Sequence, residues 1–208
     1  MEDVKPTPSS RRPSLRAERA EVTRRRIAEA ARRLFLRDGY AATTLRDVAA
    51  EAGVAVQTVY AVYGSKAGIL RALRDLAVDQ REAGASFSGA MGAASPSGSL
   101  DQFARSVRLR WELAGDIVTI LGDAATADPG VRREVELALQ TRRRGINAFA
   151  TALCERFDLA VDAGRAAAVM LALTLPEVRA ELVGVAAWTD DAYEAWLAAS
   201  LRRELLGS

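Results

Sequence analysis

The chain has 208 residues, half of them hydrophobic, and a formal net charge of only +2, so a sizeable core can be buried and total charge says little about partners. One cysteine, Cys154, and no histidine exclude an internal disulfide, His-based catalytic triads and the usual zinc sites; the lone thiol fits a reducing cytoplasm and reads as a small buried hydrophobe. Charge is unevenly spread: residues 1–66 carry 13 Lys+Arg against 8 Asp+Glu, and residues 67–208 carry 16 against 19. A basic front on an acidic body points to a polyanion at the front.

Residues 1–20 hold three prolines, three serines and many charges without an apolar period, and read as a disordered basic arm. Ser10-Arg11-Arg12 is superficially like a twin-arginine export signal, but Ala17-Glu18-Arg19-Ala20-Glu21 follows instead of an apolar run, so export is not expected. From Thr23 the spacing of Ile27, Ala31, Leu34 and Phe35 predicts a helix ending at Gly39. Thr44-Leu45-Arg46-Asp47 fits a capping box opening a short helix with Leu45, Val48 and Ala49 inward, broken at Gly53. A second short helix is expected from about Ala55 to Val62. After Gly64, Ser65 can cap a longer helix carrying Ile69, Leu70, Leu73 and Leu76 on one face.

Gly84 to Ser99 reads as a linker. Ser99-Leu100-Asp101-Gln102 looks like a second capping box, and helical segments then run through Trp111 and Leu121 to the break at Asp128-Pro129-Gly130. A long helix from Val131 to about Phe157 has Val135, Leu139, Ile146, Phe149 and Leu153 as its apolar positions, and another spans about Val161 to Leu173. Thr174-Leu175-Pro176-Glu177 is a third candidate box. The last helix starts near Thr189, with Tyr193, Trp196, Leu197, Leu201 and Leu205 as its stripe. The longest uncharged apolar run, Ala166 to Pro176, is far short of the ~20 residues of a membrane helix, so a soluble protein without a membrane partner is expected. No strand pattern is found, and the fold class is all-α.

Two short helices about a glycine, preceded by a longer one, suggest a helix-turn-helix over residues 44–63. Steeply crossing helices need a small residue at the contact, Ala49, then a residue able to take positive φ, Gly53, then an aliphatic plug, Val59. The spacing alone arises often in an alanine-rich chain; the caps, the preceding helix and the basic flank give it weight.

Here residues 23–77 resemble the DNA-binding domain of the TetR family of regulators. The resemblance lies in Ile27-Ala28-Glu29-Ala30-Ala31-Arg32-Arg33-Leu34-Phe35, Asp38-Gly39-Tyr40, Thr43-Thr44 through Gly53-Val54, Thr58-Val59-Tyr60 and Tyr63-Gly64-Ser65-Lys66. It implies a helix-turn-helix DNA-binding domain over 21–66 and a helical ligand-binding and dimerisation domain over 67–208. It further implies that Thr44, Arg46, Ala55, Val56, Gln57, Thr58, Tyr60, Ala61 and Lys66 meet a double-stranded operator. Gln57 and Thr58 would read base edges, and Thr44, Tyr60 and Lys66 would hold phosphates. Ala55 and Val56 depart from the polar residues common there, so the second helix lacks a side-chain cap. Tyr63 is expected in the core. The arginines of the arm and of the first helix (Arg24, Arg25, Arg26) could add minor-groove contacts.

The resemblance also implies a homodimer, with Leu171, Trp196, Leu197 and Leu201 as candidate interface residues. It implies a pocket for a small apolar effector, with Trp111, Phe149 and Met170 as candidate lining and Arg108 or Glu112 as anchors. No catalytic residue, cofactor or metal is expected. The competing readings are a same-fold activator, a protein-binding helical adaptor, and a helical enzyme using carboxylates such as Glu134, Glu136, Asp190 or Asp191, which sit where carboxylates are ordinarily solvated.

Overall fold

The computed structural model describes residues 15–77 and 89–207. Among them there are helices and no strands. We number them α1 (Leu15–Asp38), α2 (Leu45–Ala52), α3 (Val56–Tyr63), α4 (Lys66–Ala77), α5 (Pro96–Ala127), α6 (Pro129–Phe157), α7 (Ala163–Leu173), α8 (Pro176–Arg179) and α9 (Asp190–Leu206). A π-helical turn, Ala180–Val185, continues α8.

Local chemistry sets most boundaries. Asp128 stops α5 and caps α6, its carboxylate accepting from the Gly130 and Val131 amides at 2.8 and 3.2 Å, with Pro129 in the first turn where its missing N–H costs nothing. Asp162 caps α7 by accepting from the Arg165 amide, 2.9 Å, and Thr189 caps α9 by accepting from the Ala192 amide, 3.1 Å. Three expectations are corrected. Residues 15–20 are helical, part of an α1 of 24 residues; residues 1–14 of the expected arm lie outside the described residues. The Ser99 box does not form: Ser95 caps α5, accepting from the Gly98 amide at 3.1 Å with Pro96 next, and Ser99 is buried inside the helix. A proline with preset φ nucleates the turn one step earlier. Thr174 caps nothing, because its hydroxyl donates back to the Met170 carbonyl at 2.6 Å and so completes the preceding helix.

Two apolar cores result. The first joins α1 (Ile27, Ala31, Leu34, Phe35), α2 (Val48, Ala49, Ala52), Val59 of α3 and Ile69, Leu70 and Leu73 of α4 to Ile117, Ile120 and Ala124 of α5 and Val131 of α6. The second gathers Leu100, Phe103 and Val107 of α5, Ile146, Phe149 and Leu153 of α6, Ala166, Ala167 and Met170 of α7, and Tyr193, Leu197, Leu201 and Leu205 of α9. Helix α5, at 32 residues, is a rod of about 48 Å with its start in the second core and its end in the first. Helix α6 spans both as well. Leu139, expected inward, is 52 % exposed in the stretch of α6 between the two cores.

Candidate nucleic-acid interface

The turn between α2 and α3 is built from its ends. Thr44 Oγ1 accepts from the Asp47 amide at 3.2 Å and the Asp47 carboxylate accepts from the Thr44 amide at 2.9 Å. The bonds that the carboxylate accepts from Thr44 hold the Asp47 carboxyl below its ordinary range because they favour the charged form. At the other end Gly53 has φ 63° and ψ 42°, donates to the Ala50 carbonyl at 3.1 Å, and is followed by Val54 donating to Ala49 at 3.0 Å. This is the Schellman closure, and its left-handed residue is cheap only as glycine. A Cβ on Gly53 would also stand 3.0 Å from the Arg26 guanidinium, which donates to the Ala52 carbonyl at 2.7 Å. Ala49 and Val59 are buried at the crossing, 1 % and 0 % exposed, the small contact and the plug that the geometry requires.

Helix α3 therefore has its inner face fixed. Val59 is buried and Val56, Val62 and Tyr63 pack partly against the first core. Gln57, Tyr60 and Ala61 are exposed, and Thr58 is half-buried beside them. Residues 57, 60 and 61 share one face of a helix. Ala55 makes no side-chain cap bond, as its methyl dictates. Thr44 and Arg46 of the first element are exposed too. Tyr63 donates its hydroxyl to the Arg24 carbonyl, 2.9 Å, tying α3 to α1.

Lys66 is placed differently from the expectation. Its ammonium donates to the Tyr40 and Ala41 carbonyls at 2.7 and 3.3 Å and lies 4.5 Å from the centre of the Tyr40 ring. Burial lowers its pKa. Two of its three donors thus clamp the loop between α1 and α2, which leaves one for any phosphate. Gly68 sits against the same corner: a Cβ there would lie 2.0 Å from the Tyr63 carbonyl oxygen, so α3 and α4 can approach this closely only with glycine. Gly68 does not stand out in the sequence, and Arg26, read there as a candidate minor-groove contact, bonds the Ala52 carbonyl instead, because both roles depend on what another helix brings to them.

The domain is bolted to α5 and α6 by polar contacts. The Tyr40 amide donates to Asp123, 2.7 Å, and its hydroxyl to Asp128, 3.4 Å. Burial and the nearby Asp128 carboxylate push the Tyr40 hydroxyl up to about 12. Arg32 of α1 pairs with Asp116. Arg71 and Arg74 of α4 share Glu134 at 2.8 and 3.0 Å, which gives that residue, weighed above as a catalytic carboxylate, a structural occupation.

Residues 27–73 match the family model of bacterial regulatory proteins, tetR family. That segment, which holds the two short helices and the Gly53 turn, is thus similar to the N-terminal domain of TetR-family regulators. Two curated relatives from Pseudomonas putida are 45 % identical over 58 residues, 28 % of this chain and 28 % of each relative: the HTH-type transcriptional regulator TtgR, and ArpR, described as a probable one. The match thus spans little more than a quarter of the curated relatives' length. Among solved structures, NalD, the secondary repressor of the MexAB-OprM multidrug efflux pump in Pseudomonas aeruginosa, shares the fold with TM-score 0.69, 22 % identity and coverage of 90 % of this chain and 98 % of that one. PfmR, a TetR-family transcriptional regulator from Thermus thermophilus, does so with TM-score 0.65, 22 % identity and coverage of 87 % and 97 %. A regulator structure from Saccharomonospora viridis in complex with choline gives TM-score 0.65, 22 % identity, and 89 % and 98 %.

Outside the matched segment the C-terminal expectations divide. Leu197 and Leu201 are 0 % exposed inside the subunit, so they are corrected from interface to intrachain core: a side chain without surface offers nothing to a partner. Leu171 and Trp196 keep partial exposure. Phe149 stacks on Phe103 with centroids 5.3 Å apart, and Met170 is fully buried. Trp111 is half-buried under the Arg179 guanidinium, 5.4 Å from its ring. Arg108 is engaged with Glu112 and Glu194. Among the described residues no helix is long and apolar enough to cross a membrane.

Proposed function

We propose that the chain is a sequence-specific DNA-binding transcriptional regulator whose α3 enters the major groove, and that it works as a homodimeric repressor released by a small effector. The observation that carries this is the outward face Gln57, Tyr60 and Ala61 on a helix locked from behind by Val59 and the Gly53 turn. Gln57 can pair two-handed with an adenine edge, Thr58 can hydrogen-bond or touch a thymine methyl, and Ala55, Val56 and Ala61 allow close approach. Thr44, Arg46 and Tyr60 would meet phosphates. Lys66 serves by holding the loop.

A single eight-residue helix covers too little duplex for tight binding, so a second copy related by a two-fold axis would present its own α3 about one helical turn away. The surface left on the C-terminal segments, including Leu171, Trp196, Leu175 and Val185, is where that copy would dock. Effector release is supported by the two cores threaded by α5 and α6: a ligand favouring one setting of the second core biases the first.

The test is anisotropy of labelled duplexes against the full-length protein across salt concentrations. The expected result is a preferred sequence bound about 10³-fold or more above random duplex, with affinity falling steeply as salt rises. Equal, weak binding to every duplex would defeat the reading.

A further inference from the structure

The second core contains a polar cluster that stability does not explain. Tyr193 is 0 % exposed and its hydroxyl has no hydrogen-bond partner, a costly arrangement for a buried donor. Burial raises its pKa, and the Arg179 guanidinium, the Trp111 indole N–H and the Arg142 guanidinium pull it back. The indole is a donor only, so it offers the hydroxyl proton no acceptor. The hydroxyl is therefore protonated and faces positive charge. Arg179 gives one terminal N–H to Asp190 at 2.6 Å, but its Nε is buried without a partner. Arg142 bonds neutral oxygens, the Thr174 carbonyl at 2.8 Å and hydroxyl at 2.5 Å. Arg110 lies near enough to Arg142 for the two charges to repel.

The walls are aromatic. The chain has three tryptophans, and all three are here: Trp111 under Arg179 at 5.4 Å, and Trp196 between Trp188 (6.2 Å) and Tyr193 (5.9 Å). One side is the π-helical turn Ala180–Val185, followed by Ala187 at φ 56°. Irregular backbone of this kind collects at ligand sites. An unpaired hydroxyl, an unpaired guanidinium N–H and an arginine held by neutral groups converge on one charge type. Asp190 answers one N–H of Arg179 and Glu177 lies near Arg142, but the Arg179 Nε–H and the Tyr193 hydroxyl stay unanswered donors, which an anionic acceptor meets and a cation does not.

Resting on the effector-release reading above, we infer that the cluster of Tyr193, Arg142, Arg179 and Trp111 between α5, α6, α8 and α9 is the effector site, and that it takes a small organic carboxylate with an apolar body. The carboxylate accepts from the Tyr193 hydroxyl and from N–H groups of Arg179 and Arg142, and the apolar body lies against the tryptophans.

The experiment uses tryptophan fluorescence and calorimetry on the full chain without DNA. The probes are benzoate, 1-naphthoate and octanoate, with their amides and choline as controls. At least one carboxylate should quench the fluorescence and bind tenfold or more tighter than its amide, and choline should not bind. Tyr193→Phe removes only the unpaired oxygen. It should leave the fold at least as stable and weaken that carboxylate about tenfold, and Arg142→Gln should abolish the preference over the amide. The inference is overturned if none of the three carboxylates binds at millimolar concentration, if the amides or choline bind as tightly, or if Tyr193→Phe changes nothing. DNA affinity is measured separately: operator binding without carboxylate binding sinks this inference alone, and carboxylate binding without DNA binding sinks the regulator reading alone.

Discussion

Single residues carry the DNA-binding proposal. Gln57→Ala removes an exposed side chain and should cost about 1–3 kcal/mol of operator affinity while relaxing preference at one or two base pairs, with an unchanged melting temperature. Equal losses on all sequences would instead place Gln57 on the backbone. Gly53→Ala does the opposite: at φ 63° the new methyl is strained, so denaturant unfolding should show a loss of about 1 kcal/mol or more. Tyr40 supplies a pH test. Its hydroxyl is raised from 10 to about 12 in the fold, so its contribution is fully present below pH 10 and is lost as pH climbs through 12. Tyr40→Phe should flatten that alkaline decline; an unchanged alkaline limb would remove Tyr40 from the linkage. Gly53, Ala49 and Val59 are legible in the sequence because a steep crossing makes local demands on residue size and φ. Lys66 is misleading for the complementary reason. Its partners, the carbonyls of Tyr40 and Ala41, are backbone atoms that no side-chain pattern announces.

Elements are legible wherever a cap and an apolar period agree. Thr44 with Asp47, Ser65, Asp128 and Thr189 mark true starts. Ser99 and Thr174 carry the same residue types but sit within the first turn or at the end of a helix, where the hydroxyl goes unpaired or turns back; composition does not separate these cases. The continuity of α5 is also hidden, because two cores at its two ends resemble two separate helices. That continuity has a consequence. Asp123 receives the Tyr40 amide and Asp116 pairs with Arg32, so the α1–α2 corner rides on α5. Asp123→Asn keeps the volume and loses the charge; it should loosen this corner and raise hydrogen exchange at the Tyr40 amide while leaving the second core protected. Unaltered exchange there would show the corner to be held by packing alone.

At the scale of the molecule, the polar bolts and the shared first core make the DNA-binding helices and α5–α6 one mechanical unit. On the proposed reading, a ligand acting on the second core would shift the spacing of the two recognition helices of a dimer by biasing rods that pass through both cores. A change from one in a hundred to ninety-nine in a hundred needs about 5.5 kcal/mol of differential affinity, within reach of a charged effector in a buried site. The C-terminal site itself is only partly legible. Trp111 stands out from its helical stretch, but Tyr193, Arg142 and Arg179 come together from separate helices and read singly as core or surface. The most direct measurement of the central claim is selection of bound duplexes from a random pool, run in parallel with wild-type protein and Gln57→Ala. The account predicts an inverted repeat with half-sites about one helical turn apart, and loss of preference at matching positions in both half-sites of the variant. An unenriched pool, or the same enriched sequence from both proteins, would contradict it.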